Sequence, residues 1–272
     1  MWLPWKAALW CALVLALISV VVRPNGRWLR AVVDVARESA ILTLVYAAWI
    51  RLGEISIASA SGARSRGRSV WDFERWVHLP NEATIQHWCL HATWLMKFAN
   101  IYYIVGHVFP LGIFLVWMFV RHRDRFAYWR NVLGFVSLTC ALIQTIPLAP
   151  PRMYPELGFV DAGAIYGPSV YSKGGSGAVG QLAAMPSMHV GWAMVIGVAA
   201  VMVSKSRWRW LGVLHAALTW CAVTVPAYHW LLDGIVATAL LGLGMAIGIA
   251  LRPVLARRRR ASDPHELAVL TG

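Results

Sequence analysis

Charged residues are scarce in this sequence, and acidic residues are the scarcest among them. Only 14% of the 272 residues are charged, with 12 Asp+Glu against 25 Lys+Arg, whereas soluble domains carry about a quarter. In contrast, 59% of the residues are hydrophobic and 16 are Trp. This composition argues against a soluble enzyme and against a disordered chain, and it indicates that a lipid bilayer is the solvent for most of the protein.

Cysteine is also rare. The chain has four cysteines and no Cys-x-x-Cys pair, and three of the four lie inside long apolar runs. Neither a secreted disulfide scaffold nor a zinc site is indicated, so we expect small buried hydrophobic residues. The four are Cys11, Cys89, Cys140 and Cys221.

The net charge of +13 would suggest a nucleic-acid partner in a soluble protein. Here the Lys and Arg residues form short clusters between apolar runs, which is the pattern of cytoplasmic loops in membrane proteins. We therefore expect a membrane and no nucleic acid as the partner. The clusters predicted to be cytoplasmic lie at 23–30, 121–130, 205–209 and 252–260.

Seven apolar segments approach the length of about 20 residues that a spanning helix needs. We predict an all-α, polytopic membrane bundle with a six-helix core and an N-terminal anchor. The first segment is either a signal peptide or an anchor, and the lack of a small-x-small cleavage site favours the anchor. The segments are 5–22, 31–52, 100–120, 130–149, 187–204, 208–226 and 229–251.

Three regions follow from these segments: an anchor with a cytoplasmic turn (1–30), a membrane domain (31–251) and a basic cytoplasmic tail (252–272). Two long connections, 53–99 and 150–186, fall on the opposite side of the membrane. Five Lys and Arg residues in 53–99 are many for that side, but long loops follow the charge rule less strictly.

The connection 53–99 has two predicted features. Ser59 to Ser69 is rich in Ser, Gly and Arg, so we predict a flexible loop. Residues 82–98 predict one amphipathic helix on the membrane surface, with Glu82 on its polar side.

Three polar motifs fall at the ends of predicted spans on the same, non-cytoplasmic side. Ionisable residues near spans are costly and by default suggest a site. The long loop 150–186 that joins two of the motifs is also typical of function. The motifs are Pro150-Pro-Arg152, Pro186-Ser187-Met188-His189, and His229 with Asp233.

His229 and Asp233 are four residues apart, so a helix would place them on one face. A carboxylate that binds one imidazole nitrogen leaves the other nitrogen as a nucleophile or base. The alternative is a structural hydrogen bond that closes a helix end. His189 falls in the first turn of a predicted helix, where it could protonate a leaving oxygen and Ser187 could donate to an anion. Alternatively, Ser187 is a helix cap and His189 an interfacial polar residue.

The remaining candidates are weaker. The guanidinium of Arg152 suits phosphate oxygens, although an arginine reaching to lipid headgroups explains it equally well. Lys173 lies in a glycine-rich stretch that could cradle phosphate, and His107 lies where it could border a cavity. His87 and His91 share a helical spacing but have no evident third ligand, so no metal and no cofactor is expected.

These motifs resemble the type 2 phosphatidic acid phosphatase superfamily, in which a Pro-Ser-x-His motif precedes a His-x-x-x-Asp motif by about 40 residues. The two histidines are 40 residues apart here. Two further stretches are similar to the branch of inositol phosphorylceramide synthases, which are inositolphosphotransferases. They are Asn100-Ile-Tyr-Tyr103 with His107, and Ala149-Pro-Pro-Arg-Met153.

The resemblance implies a metal-independent enzyme with His229 as nucleophile, Asp233 orienting it, His189 transferring protons and Arg152 holding phosphate. Two cations of the broader superfamily are absent. No Lys lies six residues before Arg152, and Ala222-Val223 stand where a Ser-Arg pair is expected. We interpret these losses as a change of substrate, towards a less charged diester.

The sequence thus predicts an integral membrane enzyme that cleaves or transfers a phosphate ester on a phospholipid, polyprenyl or sphingolipid-type substrate. Its site is expected on the non-cytoplasmic face, of the plasma membrane if the source is bacterial. The alternative is a transporter or scaffold that retains the fold, although the inverted repeat that many transporters show is not visible.

Overall fold

The computed structural model describes residues 3–56, 61–168 and 181–261. It is 79% helical, and its described part contains 11 helices and no strands, which confirms the predicted all-α bundle. The helices are α1 Trp5–Val21, α2 Arg27–Ser56, α3 Ala63–Trp76, α4 Glu82–Leu90, α5 Thr93–Val105, α6 Val108–Arg121, α7 Arg123–Ile143, α8 Ala162–Tyr166, α9 Met188–Val203, α10 Trp210–Thr224 and α11 Leu231–Ala261.

In the part of the chain that the structure describes, two helices are long and apolar enough to cross a membrane, namely α7 and the part of α11 at Leu231–Leu251. A third candidate is the pair α5 and α6, which is bent by 48° at its break. The predicted span 100–120 is therefore broken, since α5 ends at Val105 and α6 begins at Val108. Helices α1 and α9 are apolar but shorter, so their passage through a bilayer stays a prediction, as do the three regions.

The structure corrects both predictions for the connection 53–99. The proposed flexible stretch Ser59 to Ser69 is helical from Ala63 onwards. Contacts with a distant loop hold this helix: Arg66 Nε donates to the Pro147 carbonyl (2.6 Å) and the Tyr154 hydroxyl to the Arg64 carbonyl (2.6 Å). Local composition carries no sign of partners so far along the chain.

The predicted single helix over 82–98 is two helices, α4 and α5, separated at His91 and Ala92. Asn81 caps α4 by accepting a hydrogen bond from the Thr84 N–H (3.1 Å). Glu82, assigned above to the polar face, has no exposed surface. The amphipathic pattern was misleading because the polar side of α4 faces protein.

Helix α7 lies at the centre of the bundle and packs against α2, α6, α9 and α11. Its buried residues Val136 and Cys140 belong to a core shared with Val195 of α9 and Leu241 of α11. Helices α9 and α10 approach closely because Gly197 faces Gly212, where an added Cβ would lie 3.1 Å from the Gly212 carbonyl oxygen. Because α7 packs against both α9 and α11, it holds these two helices relative to each other.

A second layer covers the N-terminal ends of α9 and α11. It consists of α3, α4, α8 and the 3₁₀ turns Pro151–Met153 and Pro155–Leu157. Trp230 is its centre, with ring centroids 6.1, 5.6 and 5.7 Å from those of Trp71, Tyr154 and Phe159. The indole N–H of Trp230 donates to the Ala149 carbonyl (2.9 Å). The aromatic layer therefore anchors the residue that directly precedes α11.

Candidate active site

The two histidines of the sequence motifs lie at one place in the structure. The ring centroids of His189 and His229 are 5.8 Å apart. His189 is the second residue of α9, and His229 lies two residues before α11. The Ser187 N–H donates to the Asp233 carbonyl (3.1 Å), so the starts of the two helices are joined directly.

The ring of His229 is held by two acceptors and is almost completely buried. Its Nδ1 lies 2.7 Å from the Ala184 carbonyl oxygen and 3.2 Å from Asp233 Oδ2. Because a carbonyl oxygen can only accept a hydrogen bond, Nδ1 carries the proton. The lone pair is therefore on Nε2. The Ala184 carbonyl was not predicted, because it is a backbone atom 45 residues away.

Asp233 has a second partner that explains its place in the helix. Its Oδ2 also accepts a hydrogen bond from the Trp230 N–H (2.9 Å). An acidic side chain at the third position of a helix commonly reaches back in this way to the residue before the helix. The sequence left two interpretations of His229 and Asp233, an activated imidazole and a hydrogen bond that closes a helix end. The geometry is compatible with both, since Asp233 closes the helix end and also contacts His229.

Two glutamates that sequence reasoning missed complete this helix start. The Leu231 N–H donates to Glu82 Oε1 (3.1 Å) and the Leu232 N–H to Glu74 Oε1 (2.7 Å). Both glutamates have no exposed surface. Arg75 Nη2 lies 3.3 Å from Glu82 Oε2. The only available signal was acidic residues in an acid-poor chain, because their partners are backbone groups about 150 residues away.

The carboxyl group of Glu74 lies outside the helices long enough to span a membrane. Burial is the main cause that raises its pKa to about 9, and the hydrogen bond and charge of Glu82 add to the effect. The charge of Asp233 raises the pKa further, whereas the Leu232 N–H lowers it. Glu74 is therefore protonated at neutral pH.

The surroundings of His189 are aromatic. Its ring is stacked on Tyr103 (centroids 4.3 Å, 28°) and meets His107 edge to face (4.5 Å, 79°). Ser187 is the N-cap residue of α9, and its hydroxyl accepts from the Val190 N–H (3.4 Å). The structure thus shows the capping geometry for Ser187, and a contact of its hydroxyl with substrate stays a prediction.

The bend between α5 and α6 brings His107 to this place. His107 Nδ1 lies 3.1 Å from the Tyr103 carbonyl oxygen. Tyr103 also contacts Tyr228 (centroids 4.4 Å), and the Tyr228 hydroxyl donates to Asn100 Oδ1 (2.9 Å). Tyr228 was not predicted; its position beside His229 was the one signal for it.

Arg152 lies in the 3₁₀ turn that follows Pro150, and only 6% of it is exposed. The backbone N–H of Arg152 donates to the Ala227 carbonyl (2.9 Å). Its guanidinium carbon lies 6.0 Å from the centroid of the Tyr228 ring. Such burial does not suit an arginine that reaches out to lipid headgroups. Lys173 lies outside the described residues.

His87 is occupied by its own helix, since its Nδ1 lies 3.1 Å from the Ala83 carbonyl oxygen. Within 3–56, 61–168 and 181–261, no group of three or more His, Cys, Asp or Glu could hold a metal ion.

The arrangement combines an imidazole whose lone pair is directed by its hydrogen bonds, a second imidazole nearby and a buried guanidinium beside Tyr228. Such a set can attack a phosphorus atom, transfer a proton and hold phosphate oxygens. Residues 68–247 match the family model described as PAP2 superfamily. The chain belongs to the PAP2 superfamily.

Membership in the PAP2 superfamily supports a phosphatase- or phosphotransferase-type enzyme that acts on phosphate esters. The apolar helices of the chain suggest membrane association. The matched range contains every residue of the site described above, including Glu74 and Glu82. Comparison with curated proteins and with solved structures gives no match.

Proposed function

We propose that this PAP2 superfamily protein is an integral membrane enzyme that cleaves or transfers a phosphate ester on a lipid through a phosphohistidine at His229. One observation carries the proposal: the hydrogen bond from Nδ1 to the Ala184 carbonyl (2.7 Å) leaves Nε2 with the lone pair, and the ring of His189 is 5.8 Å away. A nucleophile and a proton-transfer group beside it are the minimum for double displacement.

In the first step, Nε2 of His229 attacks phosphorus and the bond from phosphorus to the leaving oxygen breaks. His189, which is protonated beside the bound anionic phosphate, gives its proton to that oxygen. The ring of His229 becomes cationic, and Asp233 stabilises it by charge. In the second step, His189 removes a proton from water or an alcohol, which attacks the phosphohistidine and releases His229 in its neutral form. Arg152 holds the non-bridging oxygens in both steps.

For the acceptor, we propose an alcohol hydroxyl in place of water, as in inositolphosphotransferases, in which inositol phosphate is the group transferred. The support is that both stretches resembling that branch contribute to the site. From the first stretch, Tyr103 and His107 contact His189. From the second, Arg152 lies near Tyr228. We propose that the site is on the non-cytoplasmic face. The basic clusters between the apolar segments are expected on the cytoplasmic side, and the site motifs fall at the opposite ends of the segments.

An assay with purified protein in phosphatidylcholine vesicles tests this function. Phosphatidic acid, a polyprenyl phosphate and phosphatidylinositol with ceramide are offered in turn, and both free phosphate and headgroup exchange are measured. We expect turnover of at least one lipid, and headgroup exchange if the acceptor is an alcohol. His122→Ala, at the far end of α6, is the matched control and should behave as the wild type. A transporter or scaffold would turn over none of these lipids.

Arg152→Lys should raise the KM for the lipid about tenfold, because a charge-assisted hydrogen bond contributes roughly 1.5–3 kcal/mol and Lys loses the planar donor fork. Initial rates over a range of lipid concentrations measure the change. An unchanged KM in a folded Arg152→Lys protein would remove Arg152 from the phosphate-holding role.

A further inference from the structure

Carboxyl groups accept hydrogen bonds from the backbone N–H groups at the start of α11. The first N–H groups of a helix have no partner within the helix. Here three successive N–H groups each donate to a different carboxyl: Trp230 to Asp233, Leu231 to Glu82 and Leu232 to Glu74. Only the first acceptor belongs to α11 itself. The other two come from α3 and α4, so the second layer directly holds this turn.

The position of this turn determines the position of the His229 ring. His229 lies two residues before α11, and its Nδ1 bonds to Asp233 in the first turn (3.2 Å) and to the Ala184 carbonyl (2.7 Å). A shift of Leu231 and Leu232 would move Asp233 away from the ring. It would also move the Asp233 carbonyl, which accepts from the Ser187 N–H at the start of α9.

From these contacts we infer that Glu74 and Glu82 are positioning residues, which hold the first turn of α11 so that His229 presents Nε2 to the site. The inference deepens the proposed function, on which it rests. Neither glutamate touches the reacting atoms, and both act through the backbone of α11. Their complete burial fits a fixed support.

The charge on Glu74 is determined first by its burial and then by its neighbours. Glu74 faces Glu82 on α4 and Asp233 on α11. Arg75 pairs with Glu82 (3.3 Å). From the loop that packs on α3, Glu156 is engaged by Arg64 (2.8 Å). Because the pKa of Glu74 is raised to about 9, Glu74 is neutral below that pH. Above it, Glu74 would carry a negative charge beside Glu82 and Asp233 and repel them.

Two substitutions of Glu74 separate positioning from mere presence of the side chain. Glu74→Gln keeps an oxygen that accepts from the Leu232 N–H and imitates the neutral acid. Glu74→Leu has similar size but no acceptor, and leaves a buried N–H without a partner. We expect phosphorylation of His229 to slow about tenfold in Glu74→Leu, and to stay within about threefold of the wild type in Glu74→Gln. The probe is phosphatidic acid labelled in its phosphate.

Nitrogen NMR of the histidine rings in the full-length protein gives a readout that needs no substrate. The His229 signals are identified by their absence in His229→Ala. The wild type and Glu74→Gln should show a protonated Nδ1 and an unprotonated Nε2, and Glu74→Leu a mixture of tautomers. Equal tautomer ratios in folded Glu74→Gln and Glu74→Leu would overturn the inference. If neither phosphatidic acid nor the other lipids named above label any of the proteins, the proposed function fails, while the NMR comparison still decides the positioning role.

A pH series keeps the test decisive if Glu74→Leu does not fold. In the wild type, the Nδ1–H signal of His229 should weaken reversibly as the pH rises through about 9, because Glu74 ionises there. In Glu74→Gln the signal should persist, since no proton can be lost. The same alkaline change in both proteins would contradict the inference.

Discussion

Replacing His229 with Ala should abolish covalent capture of phosphate and reduce lipid turnover by roughly four orders of magnitude or more, the scale seen when a catalytic nucleophile is removed. Water would have to attack the ester directly, and no other described imidazole has the same support. The ring of His189 is stacked on Tyr103, whereas that of His229 is oriented by a carbonyl and a carboxylate. Among the histidines that the structure describes, only His229 therefore combines a pre-oriented lone pair with a counter-charge.

Trapping measures this effect. Protein in vesicles is mixed with phosphate-labelled lipid, quenched in alkali and examined for label, because phosphohistidine survives in base better than in acid. His122→Ala is the matched control: it removes a histidine outside the site and should leave label on the protein. Equal labelling of wild type and His229→Ala would disprove the nucleophile assignment, and label lost equally from both histidine variants would weaken it.

His189→Asn should lower turnover about 100-fold to 10,000-fold, the usual contribution of general acid–base catalysis. The loss should depend on the leaving group. A lipid alkoxide needs a proton to depart, whereas a nitrophenolate does not, so a nitrophenyl lipid phosphate should still phosphorylate His229. The second step still lacks its base, and the phosphohistidine should accumulate.

Rapid-quench experiments with the two leaving groups check this prediction. The first burst of nitrophenol should approach the wild-type amplitude in His189→Asn, followed by a slow steady rate. Asn is chosen because it retains a polar, planar side chain next to Tyr103 and His107. A burst that is lost to the same extent as lipid turnover would show that His189 is not the proton donor.

Much of the architecture was predictable from short-range pattern. In a long apolar run the backbone N–H and C=O groups cannot bond to water, so they bond to each other in a helix. The structure has a helix in each of the seven predicted segments. The predictions failed where polar residues meet protein instead of water. The stretch Ser59 to Ser69 contains the start of α3, and Glu82 is fully buried. In both places a polar side chain has a protein partner that lies far away in the sequence.

The chemical character of the site was also visible in the sequence, because the two histidines, Asp233 and Arg152 belong to short motifs at segment ends. The spacing of four residues brings His229 and Asp233 together at the start of α11, although His229 itself lies before the helix. Folding alone decided which nitrogen of His229 keeps its lone pair, since that depends on the Ala184 carbonyl. Folding also brought Glu74 and Glu82 to the backbone of α11. A side-chain motif can be recognised in a sequence because it consists of particular residue types. Backbone donors and acceptors are nearly the same in every residue, so only the folded structure shows which of them contributes to a site.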